Sequence, residues 1–137
     1  NNFQASILNF RLLNLKKIIK KEEKMFNLSK IFKFKENLFS LEKLAEFNTY
    51  HTFVIQVDRR DELKNFLKKK GIDTTIHYPV PIHLQTASKY LGYKKGSFPE
   101  TENQAKKILT IPINQYLNQQ EISRIATLIT KFYETNR

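Results

Sequence analysis

The run GIDTTIHYPVPIHLQ, from Gly71 to Gln85, holds the residues whose types and spacing are best suited to chemistry. His77 and His83 are imidazoles that can donate or accept a proton, and Tyr78 offers a flat apolar ring with a polar tip. Pro79 and Pro81 fix φ twice in three residues and push Tyr78 and Val80 toward extended backbone. The result is a stiff ledge carrying polar aromatics, a common place for function because the scaffold sets it and water reaches it. The plainer reading stands beside it: a histidine at a strand end is often a hydrogen-bonded structural residue, and two prolines can simply end a strand.

Other chemistries find less material. The chain has no cysteine, which removes disulfides and thiolate metal sites and fits a reducing, cytoplasmic setting. His51, His77 and His83 are its histidines, without a close pair at helical metal spacing. No carboxylate sits beside the HYPVPIH loop, His77 to His83, in sequence, so no metal site is expected. His51 starts a strand and reads as structural. The serines lack the surroundings of a strained nucleophile turn. Three glycines cannot build a glycine-rich phosphate cradle. There is no run of eighteen apolar residues for a membrane span, and the N-terminal stretch is not a signal peptide. It does not begin with Met, so the chain reads as a fragment or excised domain.

Twenty-four Lys and Arg against thirteen acids give a net charge of +11, which would attract nucleic acid, an anionic membrane or a phosphorylated substrate. The densest cluster, Lys16, Lys17, Lys20, Lys21 and Lys24, lies where lysines suit a helix C-terminus, and Glu22 and Glu23 interrupt it. Nucleic-acid binding is therefore not expected. Phe32 and Phe34 among Lys30, Lys33 and Lys35 are the one stretch that would support it.

The elements that must hold the ledge follow from periodicity. Asn2 to Lys24 reads as one helix with a wide apolar face, buried on more than one side. Met25 to Phe47 has no clean period; a short strand over 31–35 and a helical turn near Leu41 to Ala45 are its only signals. Tyr50 to Val57 alternates as a strand, with Phe53, Ile55 and Val57 on one face. Asp58 is the expected N-cap of a helix that buries Leu63, Phe66 and Leu67 and stops at Gly71. Asp73 to Ile76 is expected as a β-branched strand. A short helix over Thr86 to Tyr90, a helix opening at Pro99, a strand from Thr110 to Ile113 and a last helix capped by Asn118 and Glu121 complete the chain. Ala105, Ile108 and Leu109 are expected on the core side of the Pro99 helix. Forty per cent hydrophobic residues support one α+β domain with a small sheet of about three strands and helices mainly on one face.

Ordered motifs now carry a resemblance. NFQASIL (Asn2 to Leu8), YHTFVIQV (Tyr50 to Val57), RDEL (Arg60 to Leu63), the ledge, LGYKKGSFPETE (Leu91 to Glu102) and ILTIPI (Ile108 to Ile113) resemble, in that order, the C-terminal small domain of the DegT/DnrJ/EryC1/StrS aminotransferases. These are pyridoxal-phosphate enzymes that aminate nucleotide-linked keto-sugars. The resemblance implies a largely antiparallel sheet. It also implies that residues 1–137 form the small domain, with residues 1–24 as the connecting helix and the cofactor domain lying outside. The Schiff-base lysine, the cofactor-binding aspartate and an Asn-x-Arg segment that reaches cofactor phosphate across a dimer interface would all be absent. Alone, the chain is expected neither to transaminate nor to hold pyridoxal 5'-phosphate. The parent would take a nucleotide sugar and an amino-acid donor and act as a homodimer. His77, Tyr78, His83 and, more weakly, Gln85 would line the substrate side of the cleft, bonding sugar hydroxyls or a diphosphate. The alternative is a non-catalytic basic interaction module derived from the same family.

Overall fold

A computed structural model of the 137-residue chain describes residues 2–21, 49 and 51–135. The strand and helical turn expected between Met25 and Phe47 lie outside the described residues. Two strands pair antiparallel, β1 (Phe53–Gln56) with β2 (Ile108–Ile111), in a register that sets Phe53 against Ile111 and Ile55 against Leu109. Alternation then sends Ile55, Leu109 and Ile111 into the core, with Val54 and Thr110 on the opposite face.

Two helices cover the core face. α2 (Arg60–Lys69) buries Leu63 and Leu67, and α4 (Gln119–Thr135) buries Ile122, Ile125, Ala126, Ile129 and Phe132. With Val57 and Ile72 these strands and helices supply one contiguous cluster. Burying each large aliphatic side chain contributes about 1.5–3 kcal/mol before entropy. α4 begins as its sequence demands: Asn118 Oδ1 accepts the Glu121 amide at 3.0 Å, while Glu121 returns a carboxylate to the Asn118 amide at 2.8 Å. α2 ends equally definitely. Gly71 adopts φ 76°, its amide bonds Lys68 O, and the next amide, of Ile72, bonds Leu67 O at 2.9 Å. That pair of reversed bonds closes the helix with Ile72 folded back onto the apolar cluster.

Several expectations need correction. The Asp73 to Ile76 stretch is not a third strand. It meets the sheet through a single antiparallel bridge, Thr75 to Thr110, so the sheet of the described residues has two strands. Pro79 has no amide to donate, so a ladder cannot run on through it. The strand expected at Thr110 to Ile113 starts two residues earlier: Ile108 and Leu109 belong to β2, because α3 (Pro99–Lys107) ends ahead of them. Asp58 is not the N-cap of α2. Arg59 is, in left-handed backbone at φ 54°, with its guanidinium bonded to Glu62 and standing 5.0 Å from the Phe132 ring centroid. The first helix is not continuous. α1 (Asn2–Leu12) gives way to a turn at Leu13 and Asn14, and residues 15–21 are helical again. Nor does α1 bury any residue: Phe3, Leu8, Phe10 and Leu12 are exposed.

Candidate functional site

The sheet face turned away from α2 and α4 is where the ledge lies. A groove of about 650 Å³ is floored by Val54 and Thr110 and walled by Thr52, Asp73 and Thr75, with His51, His77 and Tyr78 at its rim. The Thr75–Thr110 bridge, bonded in both directions at 3.2 and 2.7 Å, brings the ledge to this face. His77 follows two residues later, and its Nδ1 shares a 3.0 Å hydrogen bond with Thr110 Oγ1. Thr110 is buried, so the ring is fixed from a dry side. With Nδ1 engaged, Nε2 is the nitrogen open to a ligand, as donor or acceptor according to tautomer. Tyr78 is 71% exposed and stands edge-on to His77, its centroid 5.5 Å away. The peptide bond between them is cis.

The other two expected site residues are placed differently. Gln85 is exposed, and its amide Nε2 donates to Val80 O at 3.1 Å, closing the turn that contains Pro81. His83 is buried at 8% exposure. It sits in a short 3₁₀ turn, Ile82–Leu84, with Nε2 3.0 Å from Glu102 Oε1. The same oxygen accepts the Gly96 amide at 2.7 Å and, at the long limit, the Phe98 amide at 3.5 Å. Loss of solvent opposes ionisation of Glu102, but the bonds from Gly96, His83 and Phe98 outweigh it and hold the carboxyl below its ordinary range.

Sequence reasoning missed three contributors. Glu102 read only as a first-turn acid of α3, and nothing in the sequence ties it to a histidine nineteen residues earlier. Asp73 read as a strand residue, yet it lines the groove. His51, set aside as structural, is exposed and lines both this groove and a second of about 520 Å³ against Leu8, Arg11, Leu12 and Leu15. Its position at the head of β1 was the available signal. A carboxylate, Glu102, does therefore meet the HYPVPIH loop in space, although none sits beside that loop in sequence. Among the described residues no cluster of three or more His, Asp or Glu side chains is arranged to hold a metal.

A profile of the DegT/DnrJ/EryC1/StrS aminotransferase family matches residues 1–130. The chain belongs to this family. It is 39% identical over 89 residues to the pleiotropic regulatory protein of Geobacillus stearothermophilus, covering 65% of this chain and 24% of that one. It is 36% identical over 85 residues to the dTDP-3-amino-3,4,6-trideoxy-alpha-D-glucose transaminase of Streptomyces venezuelae, covering 62% and 22%. This DegT/DnrJ/EryC1/StrS chain thus spans about a quarter of the length of the curated relatives it matches. Its fold superposes on DesV of S. venezuelae, solved with a ketimine intermediate, at TM-score 0.88 and 28% identity over 96% of this chain and 36% of that one. The sugar aminotransferase Spr1654 of Streptococcus pneumoniae in its PLP form gives TM-score 0.86 at 18% identity, over 98% of this chain and 36% of that one, a likeness of fold.

Pyridoxal phosphate needs an amine for its Schiff base. Among the described residues no lysine lines either groove; the cation nearest to the role is Arg11, which cannot form one. The groove residues therefore do not fit the covalent site of that cofactor, and no chemical step through it is assigned to them. Nor is any described helix long and apolar enough to cross a membrane.

Proposed function

We propose that this chain is the small-domain share of a pyridoxal-phosphate-dependent aminotransferase that acts on a nucleotide-linked keto-sugar with an amino-acid donor. The observation that carries this is the groove on the sheet face away from α2 and α4, where Thr52, Asp73 and Thr75 stand beside His77 and Tyr78, in a chain of a sugar-aminotransferase family. Named relatives are transaminases of dTDP-linked and UDP-linked sugars, which supports a nucleotide sugar as the ligand class. His77 Nε2 bonds a sugar hydroxyl or a phosphate oxygen, Tyr78 supplies a flat wall, and Gln85 holds the turn and reaches the ligand's edge. The cofactor's electron sink and the Schiff-base lysine come from the remainder of the parent enzyme, which is a homodimer.

The test is a titration of the chain with dTDP-glucose, followed by NMR at His77 and Tyr78. One wall of a two-walled cleft binds weakly, with Kd on the order of millimolar. Shifts confined to His77, Tyr78, Asp73 and Thr75, and lost in His77→Ala, are the expected result. No shift at these residues by about 10 mM, the weak end of that range, overturns the assignment.

A further inference from the structure

Between Ile72 and Ala105 the chain buries a single residue, and that residue is His83. The whole ledge, the two 3₁₀ turns (Ile82–Leu84 and Thr86–Leu91) and the loop ahead of α3 otherwise lie at or near the surface. Beyond Ile76, which packs half-buried against the core, apolar burial therefore contributes little to keeping this segment in place. Its anchor is a polar ring, and a buried polar ring is stable only with a partner.

We propose that Glu102 is the positioning residue of the ledge beyond His77: one of its carboxylate oxygens gathers His83, the Gly96 amide and the Phe98 amide, and so fixes where residues 82–91 stand. The deduction deepens the nucleotide-sugar reading and rests on it as far as the pocket is concerned. A first-turn glutamate has a simpler task, satisfying amides at its own helix start. Here that accounts for the 3.5 Å contact to the N-cap residue Phe98 and leaves two shorter bonds unexplained, to His83 and Gly96. Both side chains of the pair are nearly dry, at 7% and 12% exposure, so water cannot replace either partner cheaply. The imidazole in turn packs edge-on against Phe98 at 4.8 Å, and Phe98 against Tyr93 at 4.9 Å. One carboxylate thus locks the ledge, the Gly96 turn and an aromatic stack into a single body, and orients Tyr78 through the backbone between Pro79 and Ile82.

The experiment uses the complete 137-residue chain with Glu102→Ala and Glu102→Gln, because a glutamine oxygen can still accept all three protons. Backbone ¹⁵N order parameters over residues 82–91 are expected near about 0.85 in the unaltered chain and in Glu102→Gln, and below about 0.6 in Glu102→Ala. The His83 ring should show a fixed Nε2–H tautomer in the first two and a mixture in the third, while α4 stays rigid throughout. Order parameters unchanged in Glu102→Ala overturn the proposal, as does equal loosening of α4, which would mean general destabilisation. Titration with dTDP-glucose separates the two readings. Binding weakened about tenfold in Glu102→Ala, or roughly 1.4 kcal/mol, and restored in Glu102→Gln supports both. If the unaltered chain does not bind dTDP-glucose while the order parameters behave as expected, the pocket assignment falls and the positioning role stands.

Discussion

Arg60 offers the sharpest test of how α2 is joined to α3 and β2. Its guanidinium, with only 11% of the side chain exposed, donates from Nη1 to the carbonyls of Ala105 and Ile108, each at 3.2 Å. Ala105 O is one of the carbonyls that α3 cannot satisfy internally, and Ile108 opens β2. A cation there also opposes the negative end of the α3 dipole. Asp61 Oδ1 lies 2.7 Å from the buried Nε but is misaligned for a hydrogen bond, and with Asp61 largely in solvent the ion contact is of little worth. Arg60→Met keeps the apolar stem and deletes two charge-assisted bonds, stranding two partly buried carbonyls. Bonds to charged groups contribute about 1.5–3 kcal/mol each, but the two share one nitrogen and some water can enter, so the expected loss is about 2–4 kcal/mol. In a domain of this size that lowers Tm by roughly 7–14 °C. Arg60→Lys, a compact cation able to serve one carbonyl well, should recover about half. Urea and thermal unfolding followed by circular dichroism give both numbers. A loss below about 0.5 kcal/mol for Arg60→Met, the range of an ordinary surface change, would refute the reasoning.

Two further outcomes follow from the same coordinates. Asn118→Ala removes one half of the α4 capping pair and should cost about 1 kcal/mol in urea unfolding, with Asn118→Asp near neutral. Tyr133 donates its hydroxyl to Asp58 O, and burial, with the nearby Asp58 charge, pushes its pKa up to about 12. Because the folded value lies above the ordinary 10.0, the neutral phenol's contribution is complete below pH 10 and is lost as pH rises toward 12. A phenolate absorbance titration should show one late tyrosine that Tyr133→Phe removes, and all tyrosines ionising together near pH 10 would contradict this.

Much of the framework was legible because it is local. The alternation of Phe53, Ile55 and Val57, the stop at Gly71, the proline at the start of α3 and the Asn118–Glu121 pair each depend on residues within a few positions, and each appears in the structure. What failed depended on distance along the chain. The β-branched run at Asp73 to Ile76 has strand propensity, but a strand needs a partner along its length, and Pro79 leaves it one bridge. The apolar surface of α1 reads as a buried stripe, yet periodicity shows only that a face wants cover, not that this chain supplies it. In the groove, His77 and Tyr78 were visible because prolines flank them. Glu102 was not, since its meeting with His83 is made by a turn whose shape no short window encodes. Arg60 looked like a surface charge for the same reason: its acceptors lie 45 and 48 residues away.

The way α2 stops has one more implication. The termination is written in main-chain amides, those of Gly71 and Ile72, with the Ile72 side chain on the core and the Arg124 guanidinium donating to Lys70 O at 2.7 Å. Lys68, Lys69 and Lys70 lie beside it without holding it shut. The three lysines at this corner can therefore drift across generations, or be neutralised by an engineer, while the point from which the histidine-bearing segment departs stays where it is, provided Arg124 is kept.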